Sequence, residues 1–183
     1  MKTQNMRRSP RQSRPRIAHP GERPHGGPRV AVRAPAMGPT RCERCGAVYR
    51  HRVWRTPDPR RPPTLVGVRW SVCPACRQQA EAEYFGRLRV TEPLTAGAET
   101  EVRRRVHSVE ARARHTQPER RVVSLGADTG ALEVLTTSQK LAHRIARELI
   151  KAFGGRARYA WSDRDGSLEV TWSPPAALCR ERT

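Results

Sequence analysis

Aromatic residues make up only 5% of this 183-residue chain, and acidic residues number 17 against 36 lysines and arginines. Lysine itself is nearly absent, occurring only as Lys2, Lys140 and Lys151. Each shortage excludes something. With 36% hydrophobic residues and so few rings, one extensive core is not expected; small modules are, one of them needing a staple. No apolar run reaches the roughly 18 residues of a membrane span, and the beginning of the sequence offers no apolar stretch to serve as a secretory signal. A cytoplasmic protein off the membrane is expected, and in that compartment thiols stay reduced, which argues against disulfides. The six histidines stand apart in sequence, and no P-loop, H-E-x-x-H or G-x-S-x-G occurs. No catalytic residue is nominated and no enzymatic activity is expected.

What the chain has instead is arginine. Its formal net charge is +19, and guanidinium groups pair with phosphate oxygens in a bidentate way that ammonium groups do not. Nucleic acid is therefore the first partner class to consider, with codon bias in a GC-rich genome as the bland alternative. The charge is uneven. Met1–Ala36 holds nine basic residues and one acidic, Met37–Val90 eleven and four, and the remainder sixteen and twelve. The segment 1–40, "MKTQNMRRSPRQSRPRIAHPGERPHGGPRVAVRAPAMGPT", has no helical or strand period and reads as a disordered basic tail, either threading along a nucleic-acid backbone or merely solubilising.

Two C-x-x-C knuckles, Cys42/Cys45 and Cys73/Cys76, are separated by 27 residues. Two such turns each present a pair of thiolates to a tetrahedral ion, so Cys42, Cys45, Cys73 and Cys76 are the candidate ligands of one structural Zn2+. Gly46 suits the first turn, and Pro74 stiffens the second. A thioredoxin-like redox pair lacks its βαβ surroundings. His51 could replace one thiolate, but four positions are already filled. Cys179 has no partner at ligand spacing. Between the knuckles, short strands around "AVYRHRVW" and "TLVGVRWSV" form a ribbon, and the proline-rich "RTPDPRRPP" is extruded as a loop carrying Arg55, Arg60 and Arg61 into solvent. Trp54 and Trp70 flank that loop and are expected to pack inside the ribbon, the alternative being exposed stacking platforms.

Beyond the second knuckle, "RQQAEAEYFGRLRV" begins as a helix that stops near Gly86. "AETEVRRRVHSVEARARH" then places Val102, Val106, Val109 and Ala113 on one stripe, with arginines and glutamates at pairing distance elsewhere, predicting a salt-bridged amphipathic helix that serves as a linker. The remainder reads as ββαββ: strands in "RRVVSL" and "ALEVLTT" joined at "GADTG", a helix in "SQKLAHRIARELIKAFGG", and a hairpin of "RARYAWS" and "SLEVTWS" turning at "DRDG". The helix buries Leu141, Ile145, Leu149 and Phe153. Lys140, Arg144, Arg147 and Lys151 share the opposite face, either as a solvated helix back or as a phosphate-contacting row.

The expected fold class is thus α+β: a disordered basic N-terminal tail (1–40), a four-Cys zinc ribbon with its following helix (41–90), a helical linker (91–117), a ββαββ module with a mainly antiparallel sheet (118–174), and a short tail (175–183). From Cys42 to Trp172 the chain resembles a family of small bacterial zinc-ribbon proteins, on "CERCGAVY", "VCPAC", "QPERR", "VLTTSQKLAHRIARELIKAFGG" and "LEVTW". More distantly it is similar to the N-terminal region of the archaeal and eukaryotic adaptor that escorts the large ribosomal subunit. That resemblance implies binding to ribosomal RNA or a ribosomal subunit. The reading is a non-enzymatic, zinc-stabilised RNA-binding protein; the rivals are a DNA-binding zinc-ribbon regulator and a protein–protein adaptor whose charge is incidental.

Overall fold

The computed structural model describes residues 39–61, 67–128 and 131–180. All but the end of the expected basic tail lies outside the described residues, as do part of the proline-rich loop and residues 181–183.

Two sheets build the described chain. The first comprises β1 (Thr40–Cys42), β2 (Val48–Arg50), β3 (Val53–Arg55) and β4 (Arg69–Ser71), in the spatial order β3-β2-β1-β4 with β1 and β4 parallel. Strands β2 and β3 form a hairpin in which Val48 pairs with Arg55 and Arg50 with Val53. Its two tip residues, His51 and Arg52, adopt φ of 49° and 65°, the left-handed pair that a two-residue turn between twisted strands requires. The small core beneath this sheet is formed by Cys42, Ala47, Trp54, Cys73, Ala75 and Cys76.

The second sheet contains β5 (Gly86–Val90), β6 (Val122–Asp128), β7 (Ala131–Thr136), β8 (Arg156–Trp161) and β9 (Leu168–Ser173), in the order β6-β7-β5-β9-β8. Here the structure corrects the expectation of a mainly antiparallel sheet. The sheet is mixed: β5 inserts between the two hairpins, antiparallel to β7 and parallel to β9. The expected helix after the second knuckle is also shorter at its far end. Helix α1 spans Pro74–Glu81 and stops at Ala82, which takes a left-handed φ of 53°. From Gly86 onward the period is two, with Gly86, Leu88 and Val90 buried and Arg87 and Arg89 turned outward, which is a strand signature. The central position depends on Gly86. A Cβ there would stand 2.5 Å from the Thr136 hydroxyl and 2.6 Å from the Ala142 methyl.

Helices α2 (Ala96–Thr116) and α3 (Gln139–Phe153) lie side by side on one face of this sheet. The hydroxyls of Thr95 and Ser138 cap them, accepting from the N–H groups of Ala98 and Leu141. The stripe Val102, Val106, Val109 and Ala113 joins the same core as Leu141, Ile145 and Leu149, with Phe153 partly buried beside them. The helix expected to act as a linker is therefore a packed layer, tied to β6 by Glu110, which accepts from the Val122 N–H at 2.9 Å. Trp172 is fully buried and donates from Nε1 to the Gly154 carbonyl at 3.1 Å. No helix among the described residues is long and apolar enough to cross a membrane.

Candidate metal centre and basic faces

The first knuckle is a tight turn in which the Gly46 N–H donates to the Cys42 carbonyl at 2.9 Å and the Cys42 N–H to Ala47 at 2.7 Å. Gly46 sits at φ 73°, a conformation most side chains disfavour. The second knuckle is a helix start: Cys73 is the residue before α1, Pro74 occupies the first turn, and Cys76 follows one turn later. Proline suits that place because the N–H it lacks has no helical partner there.

These two turns bring all four sulfurs together. Each ligand atom of Cys42, Cys45, Cys73 and Cys76 lies within 4.8 Å of the others. The Cys42–Cys76 pair is at 3.8 Å and the Cys45–Cys73 pair at 3.7 Å. Those separations are far beyond a disulfide's, about 2.05 Å. They match the edge of a sulfur tetrahedron around an ion at about 2.3 Å, the zinc–thiolate distance. The four cysteines are placed to bind a metal ion, and all five cysteines of the chain are free of disulfides. His51, on the hairpin tip, is exposed and outside the cluster.

The surroundings supply the charge logic of a thiolate site. At Cys42 burial raises the thiol pKa, but the N–H groups of Cys73, Cys45 and Arg44 outweigh it and hold the value at about 6. The Cys73 N–H reaches the Cys42 sulfur at 3.3 Å. Burial pushes Cys73 and Cys76 up, opposite to the shift at Cys42. A divalent ion supplies the positive charge that lets all four ionise.

Arg121 completes the centre, and its residue type alone did not mark it out. It is 4% exposed, and among the described residues no carboxylate pairs with it. Its Nε donates to the Pro118 carbonyl at 2.7 Å, while Nη1 points to the Cys76 sulfur at 3.3 Å and toward Gln79 Oε1 at 3.4 Å. Nη2 is buried with no partner. Burial, the largest influence, pushes this guanidinium down, yet the sulfurs of Cys45, Cys76 and Cys73 together push it up. A buried arginine facing thiols that stay protonated is costly; facing a tetrathiolate that keeps two negative charges after binding a divalent ion, it is compensated. The buried guanidinium, with Nη2 left over beside the sulfurs, thus fits an occupied metal site. It also ties the ribbon to the second sheet: its backbone N–H donates to the Thr137 hydroxyl at 2.9 Å, and Gln79 donates to the Val122 carbonyl at 2.8 Å.

The two tryptophans divide. Trp54 is 3% exposed and packs on Tyr49 at 5.3 Å. Trp70, expected inside, is 56% exposed. The reason is alternation: Cys42 faces the metal core, so Arg41 and its register partner Trp70 face away, with the Arg41 guanidinium 5.6 Å from the indole.

Of the candidate nucleic-acid residues, Arg55, Arg60 and Arg61 are all exposed, and Asp58 fixes the turn that carries Arg60 and Arg61 by accepting the Arg60 N–H at 2.9 Å. Lys140, Arg144, Arg147 and Lys151 are all exposed along one face of α3. Glu148, the one acid on that helix, is engaged by Arg112 of α2 at 3.4 Å. Among the described residues none of the four α3 cations has a carboxylate partner, and Arg120, its pKa lowered by burial and by Arg144, adds to the same positive field. Two other faces carry ion pairs: Arg87 meets Glu133 at 2.9 Å on the uncovered face of the second sheet, and Glu99 meets Arg103 at 2.7 Å on α2.

No protein-family model matches the chain, and no curated protein matches it.

Proposed function

We propose that this protein is a non-enzymatic RNA-binding protein stabilised by a structural zinc ion, acting on ribosomes or another structured RNA. The observation that carries the reading is the α3 row: four exposed cations aligned on one helix face, with no carboxylate partner among the described residues and the helix's one acid drawn off by Arg112. Like charges at this spacing cost stability in isolation, and a phosphate backbone is the ligand that repays them with counterion release. Zinc is favoured because four thiolates at tetrahedral separation leave no open position for a substrate or water, the mark of a structural site. Its role is to hold the ribbon against the helical module through Arg121. The resemblance to a ribosomal-subunit adaptor supports ribosomal RNA as the target.

Binding of RNA by the Arg144→Gln, Arg147→Gln, Lys151→Gln variant tests this. Each lost phosphate contact lowers the slope of log K against log salt by about 0.7 on single strands and 0.9 on duplexes. The triple variant is expected to fold normally, bind more weakly and lose about 2 from the slope. An unchanged slope demotes the face to solvated surface. Preference for duplex DNA in competition moves the reading to a DNA-binding ribbon, and loss of all nucleic-acid affinity at physiological salt moves it to a protein adaptor.

A further inference from the structure

Large apolar side chains are exposed at few places among the described residues, and two of them stand together on β8: Tyr159 at 37% and Trp161 at 59%. Their register partners on β9, Val170 and Leu168, are core residues, so both rings lie on the helix-bearing side of the sheet, at its edge, beyond the cover of α3. His143 of α3 meets Tyr159 with ring centroids 5.1 Å apart. Lys140 and Arg147 lie one turn to either side of His143 on the exposed arc of the same helix. The aromatic pair and the unpaired cation row are therefore one continuous surface, joined at His143.

We infer that this surface is a track for a single-stranded segment of RNA, with bases seated on Tyr159 and Trp161 and phosphates over Lys140 and Arg147. The inference rests on the RNA-binding reading above and specifies the state of RNA and the residues that read it. Ring spacing selects the single strand. Residues two apart on a strand are separated by about 6.7 Å, roughly twice the 3.4 Å rise of stacked bases, so the two rings hold splayed bases and not a helical stack. Exposed aromatic rings beside a cationic groove are the general means of holding unpaired bases without sequence demands, and structured RNAs present such bases in loops and bulges.

Charge sets the direction in which the strand lies. On the far side of Trp161 a shallow hollow is lined by Glu83, Asp165 and Glu169. The carboxyl of Asp165 is held at about 2 by hydrogen bonds from Ser162 and Ser167, so it stays ionised. Phosphates are repelled there and drawn to α3, which leaves the base edges pointing across β8 toward acceptors for their amino groups. The other exposed indole, Trp70, has Arg41 on its ring and no second ring beside it. The uncovered sheet face is crossed by Arg–Glu pairs. Neither combines free rings with unpaired cations.

The test uses the full-length, metal-loaded chain and two probes, a short oligoadenylate and the same strand annealed to oligouridylate. Tyr159→Ala with Trp161→Ala is expected to weaken oligoadenylate binding roughly tenfold per ring, leave the salt slope unchanged, and barely alter duplex binding. Tyr159→Phe with Trp161→Phe restores the affinity, because stacking needs a ring and not a hydroxyl or an indole N–H. Equal binding of both probes by the parent, or undiminished oligoadenylate affinity in the alanine variant, overturns the track while leaving RNA binding standing. Failure of the parent to bind either probe at moderate salt overturns both readings.

Discussion

Replacing Cys73 with serine is expected to release the metal and unfold the ribbon. Cys73 precedes the first residue of α1, a position serine fills well in its own right, so the helix start is not the casualty. What disappears is one of four sulfurs gathered within 4.8 Å. Binding free energy in such sites, about 10 to 16 kcal/mol for small zinc modules, is also folding free energy. The core under the first sheet offers little to replace it, because three of its six buried residues are metal-site cysteines. Metal analysis after gel filtration should find one zinc per parent chain and none in the variant. Far-ultraviolet circular dichroism should show the second sheet and its helices largely retained, since their core is separate. Retention of a full equivalent of zinc by the serine variant contradicts the four-thiolate site.

The second large effect concerns Arg121, and its size depends on the metal. With zinc bound, the guanidinium faces a tetrathiolate of net charge −2. Arg121→Met removes one side of a buried charge pair and its bonds to Pro118 and Cys76. Removing one partner of a buried pair costs about 3 to 5 kcal/mol, which for a chain of this size lowers the melting temperature by roughly 10 °C. With zinc removed by a chelator, the arginine faces less negative charge, since burial pushes the Cys73 and Cys76 thiols up, and the same substitution costs less. The difference between the two experiments is the coupling energy between metal site and arginine. Thermal melts of parent and variant with and without chelator measure it. Equal losses in both conditions show that Arg121 serves packing alone.

The metal site was legible because the chemistry is local: two knuckles encode two turns, and four thiolates paired in this way match the ligand set of one tetrahedral ion. Helix α3, the flanking hairpins and the valine stripe of α2 were legible from periodicity. Strand β5 was not. Its alternation spans only Gly86–Val90 and follows a helical run without a proline or an obvious cap, the stop being the left-handed backbone at Ala82. Missing it hid the parallel pairing with β9, a contact across about eighty residues that no local pattern encodes. Arg121 was hidden for a related reason. In a chain this rich in arginine, one guanidinium among many announces nothing until the fold buries it against Cys76. The exposure of Trp70 follows from its register with Arg41, and the pairing of Tyr159 with the α3 cations from where β8 stops being covered; both are tertiary facts.

The measurement that tests the account most directly is sedimentation of the native, metal-loaded protein from lysate through a sucrose gradient at moderate salt, with and without ribonuclease. The account predicts migration with ribosomal particles or another large RNA species, shifting to the top of the gradient after ribonuclease. Recovery at the top in both gradients, with zinc still bound, contradicts RNA binding as the function of this fold.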